Sequence, residues 1–280
     1  MSRRHRVARL LAPLVLLVAV GCASDDEPET ASTPRPSPST TSAVPAAPVP
    51  QVGSCHALSV SEATDPVDAT GPVPCRRPHT SVTIKVGELS PVADGHLLAV
   101  DSETVRAQIA RSCPDSPGAV LGAYLGGDQT AQRLSRFEVV WFSPSLEQAD
   151  AGANWYRCDV VAVRSEGQLL QLPARLKGVL DQAGALDRFG TCGTAAPDAR
   201  TFDRVVCSER HTWRAVDVID LPKDARYLAK DVAATADGAC KDIAAERADG
   251  ELKYTWSFEW PTRPQWASGQ RYGYCWVPEA

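Results

Sequence analysis

The chain has 280 residues, 44% of them hydrophobic, with 29 Lys and Arg against 34 Asp and Glu, a formal charge of −5. A net-acidic chain is poorly suited to neutralising phosphates, which argues against nucleic acid as a partner and against docking on anionic lipid by charge. The 22 prolines and nine cysteines are unevenly distributed, and that distribution divides the chain.

Residues 1–21 have the pattern of an export signal. Arg3, Arg4, Arg6 and Arg9 form a basic start, and Leu10–Val20 is an apolar core of 11 residues. That core is too short to span a bilayer, which takes about 20 residues. The end "LLVAVGC" resembles a bacterial lipobox, with Ala19 where leucine is usual. The adjacent Arg3 and Arg4 raise twin-arginine export, but the hydrophobic positions that usually follow are missing, so the general secretory route is expected. On this reading Cys22 is the lipid-attachment residue and the first residue of the mature chain. Two acyl chains on Cys22 would anchor it stably, where one binds only marginally. Discarding the four signal arginines leaves 25 basic side chains against 34 acidic, a charge of −9.

The next segment, to residue 50, holds seven prolines and almost no large apolar side chains. It cannot bury enough surface to offset the entropy of ordering. It reads as a tether reaching up to roughly 85 Å as polyproline II, or about 30 Å as a coil.

From residue 51 the chain repeats itself. "VPCRRPHTSVTIKVG" (73–87) returns as "VCSERHTWRAVDVID" (206–220), each with Cys-x-x-x-His before an alternating, strand-like run. "VGSCH" (52–56) faces "FGTCG" (189–193). Val105, Ile109 and Cys113 lie on one helical face, as do Leu228, Val232, Ala236 and Cys240. "FEVVWFSPSLEQADAGANWYRC" (137–158) aligns without a gap on "YTWSFEWPTRPQWASGQRYGYC" (254–275). Cys55, Cys75, Cys113 and Cys158 are separated by 20, 38 and 45 residues, and Cys192, Cys207, Cys240 and Cys275 by 15, 33 and 35. An even cysteine count in an exported chain reads as a disulfide framework. The expected architecture is α+β: two tandem homologous domains, 51–165 and 166–280, each a small antiparallel sheet with a packed helix and two disulfides. The stretch 166–186 joins them or begins the second.

Gly190, Cys192, Cys207, His211, Trp260, Pro261, Trp266, Gly269, Arg271 and Cys275 together resemble the septum formation domain of actinobacterial envelope proteins and lipoproteins. The first copy departs from the pattern, with Ser143, Ala149 and Asn154 in place of Trp260, Trp266 and Arg271. The resemblance implies association with the cell envelope or with division. It carries no catalytic residues over to this chain.

Four cysteines allow three pairings per domain. The expected one joins first to second and third to fourth: Cys55–Cys75, Cys113–Cys158, Cys192–Cys207 and Cys240–Cys275. Each Cys-x-x-x-His could in principle offer a thiolate and an imidazole to zinc. With a cysteine partner nearby in each set, the expectation is instead a disulfide, and His79 and His211 are expected to be structural. No cofactor and no metal are expected. Nucleophile elbows, zinc-protease signatures and phosphate loops are missing from the sequence. The expected function is non-catalytic: an extracytoplasmic, membrane-anchored lipoprotein that binds an envelope protein or glycan and is linked to septum formation. The alternative is an envelope enzyme acting on wall polymer. Trp260, Trp266 and Arg271 are the candidate binding residues, because rigid tryptophans offer large contact area at low entropy cost.

Overall fold

The computed structural model describes residues 48–68, 70–114, 119–250 and 252–279. The signal segment, Cys22 and the tether as far as residue 47 lie outside the described residues. Among the described residues no helix is long and apolar enough to cross a membrane.

The first half starts with β1 (Cys55–His56) and α1 (Val60–Thr64). The Ser59 hydroxyl and the Glu62 carboxylate cap α1 reciprocally. β2 (Ser81–Glu88) follows, then a hairpin of β3 (Val92–Ala93) and β4 (His96–Leu97). Asp94 and Gly95 both take positive φ at its tip, the geometry that Asp-Gly favours in a two-residue turn. Next come α2 (Glu103–Ser112), α3 (Ala119–Leu125), α4 (Gln129–Leu134), β5 (Phe137–Phe142), α5 (Leu146–Asp150), β6 (Trp155–Ser165) and β7 (Gln168–Leu169). The second half has α6 (Ala185–Phe189), β8 (Thr191–Gly193), β9 (Arg204–Val206), β10 (Trp213–Asp220), α7 (Lys230–Arg247), β11 (Ser257–Glu259), α8 (Arg263–Ala267) and β12 (Tyr272–Pro278).

The fold is mixed α+β with antiparallel sheets. The first sheet has the order β1-β2-β6-β5, with β7 also on β6; the second has β9-β8-β10-β12-β11. The two share a strand order, and the match reaches single residues. β2 shifts register between Thr83 and Lys85, and Lys85 faces Cys158; β10 shifts between Ala215 and Asp217, and Asp217 faces Cys275.

Four disulfides join Cys55–Cys75, Cys113–Cys158, Cys192–Cys207 and Cys240–Cys275, the expected pairing. Two of them tie a helix to an interior strand of its sheet: α2 to β6 and α7 to β12. On that side Val105, Ile109, Val139, Cys158 and Val160 form the first core. Val216, Cys240 and Cys275 form its smaller counterpart.

Two details depart from the sequence reading. α7 begins at Lys230, so Leu228 lies before the helix, with φ 55° and 53% exposed, off the face of Ala236 and Cys240. The Pro/Gly loops before β6 and β12 each contain a short helix, α5 and α8, closed by a capping box: Ser145 with Gln148, and Thr262 with Gln265.

Leu172, Leu176, Val179, Leu180 and Phe189, in the stretch leading to the second sheet, join the first core. The Phe137 and Phe189 rings stand 4.8 Å apart, and the Arg136 N–H donates to the Phe189 carbonyl. In return Leu134 of α4 packs with Ala215 and Trp276 of the second sheet.

Candidate binding cleft

The candidate residues Trp260, Trp266 and Arg271 come together at the end of the second sheet. The Thr262 cap starts α8 so that Trp266 folds back onto Trp260, the rings stacked at 5.5 Å and 20°. Tyr227, which sequence reasoning missed, meets both edge-on, at 6.4 Å from Trp260 and 5.8 Å from Trp266. The Arg271 guanidinium lies 4.0 Å from the Trp266 ring centre and donates to the Trp266 carbonyl at 2.7 Å and the Gln270 carbonyl at 3.0 Å. The tryptophans therefore spend much of their surface on one another and on Arg271 rather than forming an open platform, and of the three candidates only Arg271 lines the neighbouring cleft.

Beside Arg271 lies a cleft of about 640 Å³ between the second sheet and α4. Tyr272 and Tyr274 of β12 form its floor. Arg133 from α4 lies 4.4 Å from the centre of the Tyr272 ring and pairs with Asp220 at 2.7 Å. The Tyr274 hydroxyl donates to the Arg133 carbonyl at 3.2 Å. Arg204 of β9 pairs with Glu259, whose other oxygen accepts from the Trp276 indole at 3.0 Å. Arg136 reaches in from the chain between α4 and β5, its Nε donating to the Val163 carbonyl at 3.1 Å. Arg271 and Lys223 line the far end.

Five basic residues thus face one cleft of an acidic protein, with Glu138 and Asp220 the acids among its lining. Burial lowers the Arg136 pKa, and the nearby positive charge of Arg204 adds to the effect. Burial raises the Tyr272 and Tyr274 phenols, which stay protonated and able to donate at neutral pH.

His79 and His211 occupy matching places. The Nδ1–H of His79 donates to the Arg77 carbonyl at 2.9 Å, and that of His211 to the Glu209 carbonyl at 2.7 Å. Each ring closes the turn that enters β2 or β10. His211 Nε2 also lies 3.1 Å from Glu279. Cys192, His211 and Glu279 are close enough to suggest a metal site, but the Cys192 sulfur is bonded to Cys207 and cannot serve as a thiolate.

The first sheet holds a second polar cluster that sequence reasoning missed. On the side away from α2, the Arg157 guanidinium lies 2.5 Å from Asp68 and 3.3 Å from Asp159. His56 Nδ1 is 3.2 Å from Asp68, and the Ser81 hydroxyl donates to Asp159 at 2.7 Å. Arg157 is 4% exposed and Asp159 is fully buried. The matching positions in the second sheet are Gly193 for His56, Trp213 for Ser81, Tyr274 for Arg157 and Trp276 for Asp159. One side of the sheet is thus ionic in the first half and aromatic in the second. The signal for this was legible: Arg157 and Asp159 alternate with apolar residues in a strand apolar enough to be buried on both sides.

The fold and cleft define a disulfide-stapled α+β protein with a basic, tyrosine-floored groove. A sequence-family profile described as Septum formation matches residues 119–275, from α3 through Cys275, and the chain belongs to that family. The family description links the protein to septum formation. No curated protein and no solved structure matches the chain.

Proposed function

We propose that this protein is a lipid-anchored, extracytoplasmic binding module of the cell envelope, built from two tandem copies of one domain and acting non-catalytically in septum formation. The observation that carries the reading is the cleft beside Arg271. Its arginines are held by carboxylates, carbonyls and rings, and the Tyr274 hydroxyl fixes the Arg133 backbone, so the cleft offers cations and guanidinium N–H donors set for recognition. Such a groove suits an acidic partner, either carboxylates of a wall glycan or an acidic segment of an envelope protein. The four disulfides favour an oxidising compartment, which agrees with export through residues 1–21 and lipid attachment at Cys22. The shared strand order and register shift support the tandem copies.

The test is co-sedimentation of the purified protein with isolated wall polymer and with envelope extracts, comparing wild type with Arg136→Ala. The reading expects retention of wild type and at least about tenfold less of the variant, corresponding to the loss of one charge-assisted contact. Release of soluble wall fragments by the wild type would favour the enzyme reading instead.

A further inference from the structure

The two halves treat one place differently. In the second half, the space between α8 and the loop after β10 is filled by Trp266 and Tyr227, with Arg271 stacked on Trp266. The matching space in the first half, between α5 and the loop after β2, is an open cavity of about 440 Å³.

The backbone frames of the two places match in detail. Leu89 N–H donates to the Asn154 carbonyl, as Leu221 N–H donates to that of Arg271. Ala149 N–H donates to the Ser145 carbonyl, as Trp266 N–H does to that of Thr262. Gly152 and Gly269 close the two short helices at φ 98° and 100°. On this frame Ala149 stands where Trp266 stands, and Asn154 where Arg271 stands. Val100, like Tyr227, lies 13 residues before the helix cysteine. Two rings and a cation are replaced by a methyl, an isopropyl and an amide. The space of Trp260 is not part of the opening: Ser143 there is buried, and its N–H donates to the Pro66 carbonyl.

The cavity walls are apolar, with Leu89, Leu98, Val100 and Ala149 among them. Leu97 and Leu146 at its rim are 79% and 52% exposed and extend the apolar surface around its mouth. Asp150, where the second half has Ala267, brings a carboxylate to the same lining. The size falls within the range of pockets that take small ligands, about 300–1,000 Å³.

We propose that this cavity of the first half is a binding site for an aromatic side chain next to a basic residue on a partner polypeptide. The pair would supply in trans the ring and cation that Trp266 and Arg271 supply within the second half. Asp150 would face the cation, and the apolar walls would take the ring. This site is separate from the basic cleft, so either can fail alone.

The test uses the full-length protein and three capped dipeptides, Ac-Trp-Arg-NH2, Ac-Trp-Glu-NH2 and Ac-Ala-Arg-NH2, titrated while backbone amide shifts are followed by NMR. Ac-Trp-Arg-NH2 should shift the amides of Leu98, Ala149 and Gly152. Ac-Trp-Glu-NH2 should bind about tenfold more weakly, because attraction to Asp150 becomes repulsion. Ac-Ala-Arg-NH2 should give no saturable shift. Ala149→Trp, which puts the second half's own ring into the space, should abolish binding and leave the melting temperature equal or higher. Asp150→Asn, a surface change that keeps the fold, should weaken Ac-Trp-Arg-NH2 about threefold. Equal binding of the Arg and Glu peptides, no response at these amides, or undiminished binding to a folded Ala149→Trp protein would each overturn the proposal.

Discussion

Asp68 and Asp159 flank one guanidinium, yet the structure moves them in opposite directions. Burial pushes both up. For Asp68 the hydrogen bonds from His56, Thr70 and Arg157 outweigh it and hold the carboxyl well below the ordinary range. For Asp159 burial wins over Arg157 and Ser81, and its Oδ1 has no hydrogen-bond partner among the described residues. The signs follow by linkage. Ionised Asp68 contributes stability above the ordinary carboxylate value, about 3.9, and that contribution is lost as pH falls below it. Asp159 favours the folded state at acid pH, and its contribution is lost as pH rises through its raised folded value. Asp68→Asn should therefore lower stability at pH 7 by about 2–3 kcal/mol. The gap to wild type should narrow toward pH 3, as read by urea unfolding at both pH values. Arg157→Met should cost about 3–5 kcal/mol at pH 7, because it leaves carboxylates buried without their cation. A loss below about 1 kcal/mol would show that the cluster is solvated.

At the level of elements, the sequence announced whatever repeats. Alternation marked β2 and β10, the cysteine spacing marked the disulfides, and Val105, Ile109 and Cys113 marked α2. Short elements were less legible. α5 and α8 are five residues each, too short for apolar periodicity, and only their capping boxes mark them. Leu228 fits a helical period but precedes the helix, because periodicity alone does not fix a helix start. Trp260, Trp266 and Arg271 lie close in sequence and their side chains meet in the fold, whereas Tyr227 is invisible to the sequence because its partners lie more than thirty residues downstream. Trp266→Ala should cost about 2–3 kcal/mol, since the ring stacks on Trp260 and carries Arg271. A loss below about 1 kcal/mol would mean that the indole carries little of the packing. Replacing Cys192 and Cys207 with serine should cost about 3 kcal/mol, and replacing Cys113 and Cys158, which close a loop of 45 residues, about 4 kcal/mol. Thermal melts of the two double variants check the order.

Across the whole molecule the two sheets are not independent beads. The described residues, from 48 onward, group as one compact unit. Phe189 packs in the first core and Leu134 against the second sheet. This interlock was not legible in the sequence, because the stretch 166–189 has no counterpart before the first sheet against which to read it. Calorimetry should accordingly show one cooperative transition for both sheets, and two resolved transitions would mean that they unfold separately. The cleft follows from the same interlock: Arg133 and Arg136 come from the first half, and Tyr272, Tyr274 and Arg271 from the second.

The central claim is that this cleft binds a component of the cell envelope without transforming it. It is tested most directly by photo-crosslinking in growing cells, with a photoreactive phenylalanine at position 268, where the exposed Ser268 lines the cleft without supplying a cation, and, as a control, at Asp94 on the hairpin tip. The account predicts one discrete envelope adduct from position 268, none of the same mass from position 94, and an intact captured component. No adduct from position 268, or an adduct carrying a cleaved wall fragment, would contradict it.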